Sequence, residues 1–85
     1  MKLYGIFDVV GNRVINYFSA NSDIIAVRMM STSDEKTINR YRGFNLVCLS
    51  DLDDSGVPTN AYNVTICRMC DCEVKLNELL EKEGL

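Results

Sequence analysis

The chain has 85 residues, a net charge of −3 at pH 7, no histidine and four cysteines. That length accommodates one domain, residues 1–85, with a single modest core, and an acidic balance excludes a general polyanion binder. The commonest general base and metal ligand is missing with histidine, and no apolar run approaches the ~20 residues that span a bilayer.

The charge is uneven. Residues 1–44 carry six Lys/Arg against four Asp/Glu, and residues 45–85 carry three against eight. Any contact with nucleic acid is therefore expected to be local and confined to the first half. The opening residues, MKLYGIFDVV, are short and interrupted by Asp8, unlike a secretory signal. The expected setting is the cytosol, where thiols are reduced or bound to metal rather than paired in disulfides.

Lys2 to Val10 reads as a first strand, Gly11-Asn12 as a tight turn because both residues tolerate positive φ, and Arg13 to Ser19 as a second strand. Asn21 and Ser22 offer side-chain oxygens to the free amides of a first helical turn, and Asp23 adds negative charge at its positive end. Ile24, Ile25, Val27, Met29 and Met30 give that helix a broad apolar face, so it is expected to be mostly buried, with Arg28 leaving along one edge. Ser31-Thr32-Ser33 favours leaving the helix. Residues 31–45 then allow two readings: a short helix capped by Ser33-Asp34-Glu35 and ended by Gly43, or an irregular loop.

Phe44 to Leu52 reads as a third strand and Asp53-Asp54-Ser55-Gly56 as a turn, with Pro58 excluding a central strand position. Ala61 to Cys67 reads as a fourth strand in which Tyr62, Val64 and Ile66 face the core and Asn63, Thr65 and Cys67 face water. Asp71 to Glu83 reads as an amphipathic helix with Asp71 as N-cap, Leu76, Leu79 and Leu80 on one face, a Glu78–Lys82 pair, and a cap at Gly84-Leu85. The expected class is α+β: a four-stranded antiparallel sheet from two β-hairpins with two helices packed on one face, in the order β-β-α-β-β-α.

Three stretches resemble a known family. They are Tyr4-Gly5-Ile6-Phe7-Asp8; Phe18-Ser19-Ala20-Asn21-Ser22-Asp23 with Ala26 and Arg28; and Leu46 to Gly56, LVCLSDLDDSG. Their order and spacing are similar to those of the small nonstructural protein of gokushovirus-type microviruses, phages with single-stranded DNA genomes. In that family a strand ends in F-x-A, an N-D pair caps the helix, and Ala and Arg follow at this spacing. The likeness covers roughly residues 4 to 56; Ser22 stands where the family usually has Asn, and neither the Cys67–Cys72 cluster nor the acidic final helix takes part in it. The resemblance implies a DNA-binding accessory protein with a part in viral DNA synthesis, made in the cytoplasm of an infected bacterium, without enzyme activity.

The stretch Lys36 to Phe44, KTINRYRGF, holds three positive charges and no acid. Cations that meet phosphates beside rings that stack on bases are what single-stranded DNA binding requires. The candidate nucleic-acid-binding residues are Arg28, Lys36, Arg40, Tyr41, Arg42 and Phe44; the bland alternative is a solvated connector with Tyr41 and Phe44 tucked into the core. Cys67, Cys70 and Cys72 form C-x2-C-x-C, and Cys48 on the neighbouring strand would complete four thiolates for a structural zinc. A second spaced pair is missing, and partly buried reduced thiols are the competing expectation. Asp51, Asp53 and Asp54 suit a divalent cation in composition, but they are also ordinary turn residues. No nucleophile elbow, P-loop or acid/base carboxylate pair is present, so a binding role is expected rather than catalysis. The expected partners are single-stranded DNA, or else a phage or host protein or a second copy of the chain, since exposed strand edges favour a homodimer.

Overall fold

The computed structural model describes residues 1–31 and 34–84. Four strands, β1 (Lys2–Asp8), β2 (Arg13–Ala20), β3 (Phe44–Leu52) and β4 (Pro58–Arg68), form one sheet in the order β2-β1-β3-β4, every neighbouring pair antiparallel. The β1–β2 and β3–β4 hairpins join through β1 and β3. Helices α1 (Asp23–Met30) and α2 (Glu35–Arg40) lie between β2 and β3, and a 3-10 turn, Met69–Asp71, leads from β4 into α3 (Cys72–Lys82). The sheet is therefore as the patterning predicts, with three α-helices among the described residues rather than two. No helix among the described residues is long and apolar enough to cross a membrane.

One core holds the layers together. Tyr4 and Ile6 from β1 and Leu46 and Cys48 from β3 alternate onto one face and meet Ala26 and Val27 of α1, Met69, and Cys72 of α3. Tyr4 is fully buried, stacks on Phe18 with ring centroids 5.6 Å apart, and donates its hydroxyl to Asp23 Oδ1 at 2.6 Å. That bond ties the central strand to the first turn of α1. The shortest dimension of the molecule, 16 Å, accommodates the sheet and one helix layer.

The opposite face has its own smaller packing. Val47 is 2 % exposed yet stands outside the helix-side core, and a Cβ placed on Gly5 would lie 2.8 Å from Val14 Cγ1 and 3.0 Å from Leu49 Cδ1. Side chains from β2 and β3 thus close over the bare backbone of β1 at the one position where it has no side chain. Phe7, Val14 and Leu49 are half-buried.

Local chemistry explains the element ends. Asn12 takes φ 54° in the first hairpin, as an Asn in a tight turn can. Ser22 Oγ accepts from the Ile25 amide at 3.4 Å, capping α1 beside Asp23. Asp53 Oδ1 accepts from the Ser55 and Val57 amides, both at 2.9 Å, and builds the second turn. Pro58 opens β4, which is an edge strand, so its missing N–H leaves no central ladder unmade.

Several expectations need correction. The first helix is less buried than its composition suggests: Ala26 and Val27 are buried, but Met29 is 53 % exposed. The short-helix reading of residues 31–45 holds for Glu35–Arg40, while Thr32 and Ser33, including the proposed Ser33 cap, and Leu85 lie outside the described residues. β4 begins before Ala61, and its alternation is interrupted by three register shifts against β3, so Cys67 packs against the core; Val64, on this edge strand, is half-exposed. Asp71 stands at the N-cap of α3 but makes no cap bond, because its carboxylate is engaged by Arg68. Lys75 pairs with Glu78 at 3.8 Å, not Glu78 with Lys82.

Candidate nucleic-acid interface

The connection from α2 to β3 turns tightly. Amides of Tyr41 and Arg42 bond back to Ile38 and Asn39 carbonyls, the Phe44 amide bonds to Tyr41 O, and Gly43 takes φ +82°, a conformation that favours glycine. The Gly43 carbonyl accepts from the Val9 amide at 2.9 Å, fastening this turn to the loop after β1. Arg42 is thereby held on the outside, next to Phe44 at the first position of β3.

Across the sheet, Asn45 pairs with Arg68, the last residue of β4. A ladder unbroken from the Leu52–Pro58 pair would have put Thr65 opposite Asn45; the three register shifts bring Arg68 there instead. The result is an open groove of 690 Å³ walled by Arg42, Phe44, Asn45, Arg68, Val9 and Cys70, with no acidic side chain on its wall. Arg68 donates from Nε and Nη2 to Asp71 Oδ2, both at 2.7 Å, which fixes the guanidinium and raises its pKa further. Arg42 forms no ion pair among the described residues.

Of the residues singled out from the sequence, the structure brings Arg42 and Phe44 together on this wall. Tyr41 and Phe44 are half-buried and packed against the core, and Phe44 also lines the groove. Lys36 and Arg40 are exposed on α2 and Arg28 is exposed on α1; none of the three lines the groove. Arg68 was not among the sequence-derived candidates. Its signal was its place at the end of a hairpin whose partner strand starts beside Arg42, but the register shifts hid it.

The thiols do not assemble a zinc site. Cys48 Sγ faces the Tyr62 hydroxyl at 3.5 Å, Cys70 Sγ faces Asp71 Oδ1 at 3.8 Å, and Cys67 Sγ faces Cys72 Sγ at 3.7 Å. Among the described residues no three His, Cys, Asp or Glu groups converge as metal ligands. The acidic turn is likewise spoken for: Asp53 holds backbone amides, and Asp51 accepts from the Tyr62 hydroxyl at 3.0 Å and from Asn60 at 3.3 Å. Those two bonds hold the Asp51 carboxyl below its ordinary range.

The fold and the groove define a small two-layer α+β protein with a cationic notch at one end of its sheet. Compared with known proteins, the chain matches no family model, no curated protein and no solved structure.

Proposed function

We propose that this chain is a non-enzymatic accessory protein of a small single-stranded DNA phage, assisting viral DNA replication or packaging in the infected bacterium through local contact with single-stranded DNA. The observation that carries this reading is the groove lined by Arg42, Phe44 and Arg68, in which Arg42 forms no ion pair among the described residues and Arg68 is held by Asp71. Guanidinium groups bind phosphate through paired N–H donors, and aromatic rings beside them take stacked bases without sequence preference. Lys36 and Arg40 are exposed on α2 and are free to meet further phosphates. The resemblance over residues 4 to 56 supports the same assignment.

Fluorescence anisotropy of a labelled oligothymidylate tests it. Saturable binding is expected to weaken with salt, with a logarithmic slope of about −2 for three phosphate contacts. Arg42→Ala is expected to lower affinity about tenfold and to flatten that slope by about 0.7. Binding absent at low salt, or unchanged in Arg42→Ala, rejects the reading.

A second reading, recruitment of a phage or host protein or of a second copy, is favoured by a different surface. Among the described residues the helix-side core is the one the helices pack on, and β4 is an edge strand with no charged residue from Pro58 to Cys67. An uncharged edge invites pairing with another strand. Sedimentation of the pure protein over a range of concentrations, with and without the oligonucleotide, separates the two.

A further inference from the structure

Two of the three thiols outside the arginine groove stand together. Cys67 Sγ and Cys72 Sγ are 3.7 Å apart, one at the end of β4 and the other at the first residue of α3. Their surroundings differ. Cys67 is half-buried and lines a separate open groove of 330 Å³ together with Arg68, Asp71, Val74, Lys75 and Glu78. Cys72 is 1 % exposed and sits behind it in the core. The contact with Cys72 and the nearby Lys75 ammonium hold the Cys67 thiol below its ordinary pKa, against partial burial and the Asp71 and Glu78 carboxylates. The same contact, with burial, holds the Cys72 thiol far above its own. Cys67 is thus the sulfur a small oxidant reaches first, and Cys72 lies within reach behind it.

We propose that Cys67 and Cys72 form a peroxide-oxidised dithiol, with Cys67 as the sulfur attacked first and Cys72 as the one that closes the disulfide. In the first step the Cys67 thiolate attacks one oxygen of hydrogen peroxide. An S–O bond forms, the O–O bond breaks, and the departing hydroxide takes up the proton that the Cys67 thiol gave to solvent. Cys67 is oxidised by two electrons to the sulfenic acid, and one water leaves. In the second step the Cys72 sulfur attacks the Cys67 sulfur. The S–S bond forms, the S–O bond breaks, and the hydroxyl leaves as a second water with the proton of Cys72. Two thiols and one peroxide give one disulfide and two waters. The sulfurs must close by roughly 1.7 Å from 3.7 Å to reach bonding distance. The bond would span the Met69–Asp71 turn and tie the last strand to the last helix.

The competitor is Cys70, half-buried between them in sequence and turned toward Asp71. The full-length reduced chain is therefore treated with hydrogen peroxide, its remaining thiols are alkylated, and the digested peptides are sequenced without reduction. The expected product is a monomer that has lost two hydrogens, with the link mapped between Cys67 and Cys72. In Cys72→Ser, Cys67 is expected to accumulate as a sulfenic acid that dimedone traps, and in Cys67→Ser thiol loss is expected to slow about tenfold. A link mapped to Cys70, oxidation of Cys70 ahead of Cys67, or a disulfide only between chains overturns the assignment. The map on the unsubstituted chain stands whether or not either variant folds.

Discussion

Tyr4 shows how one residue joins two layers. Its ring fills the core while its hydroxyl reaches Asp23 at the start of α1. Replacing it by Phe keeps the ring and removes a hydrogen bond to a carboxylate, a loss of about 2 kcal/mol. The urea midpoint is expected to fall with its slope unchanged. Burial, and then the bond to Asp23, raise the Tyr4 pKa above the ordinary value of 10.0. Above that pH the unfolded chain releases a proton that the folded chain keeps, so stability is expected to decline as pH rises past 10.0. Tyr4→Phe is expected to make that decline shallower without abolishing it, because Tyr62, bonded to Cys48 and Asp51, is raised as well. Melting temperatures of both proteins from pH 8 to 11 check the sign; an identical slope in the two would refute it.

Among the elements, the legible and the hidden parts divide by physical cause. β3 runs over the residues that its β-branched and apolar pattern indicates, Phe44–Leu52, because a turn signal stands at one end and a glycine at the other. The Ser22 cap and the Asp53 turn are local side-chain-to-backbone chemistry, and they too are readable in a single stretch. The course of β4 is not, because its register shifts depend on the strand it pairs with. Those shifts are why Cys67 stands opposite Leu46 of the core and why Arg68 stands opposite Asn45, near Arg42. Half of the candidate groove was thus visible in the basic stretch at residues 36–44, and the other half was not. Gly5 is a second feature that only the sheet explains, since Val14 and Leu49 come from neighbouring strands. Gly5→Ala forces the stiff Val14 side chain and Leu49 aside and is expected to cost about 1–3 kcal/mol, measured as a lower urea midpoint. Equal or greater stability would mean that this face is looser than described.

For the whole molecule, the acidic total charge conceals a local cationic notch. Its strength depends on Asp71, the carboxylate that engages Arg68 from outside the groove wall. Asp71→Asn is expected to tighten oligothymidylate binding several-fold by releasing Arg68, while Arg68→Ala is expected to weaken it; isothermal titration at fixed low salt reads both. Both changes in the same direction would show that Arg68 acts through the turn and not through its charge.

The most direct test of the notch as the contact surface is an amide chemical-shift map of the labelled protein titrated with oligothymidylate. Shifts are expected to concentrate at Val9, Arg42 to Asn45 and Arg68 to Cys70. Shifts confined to α3 or to the sheet face around Val47, or no shifts at all, would contradict it.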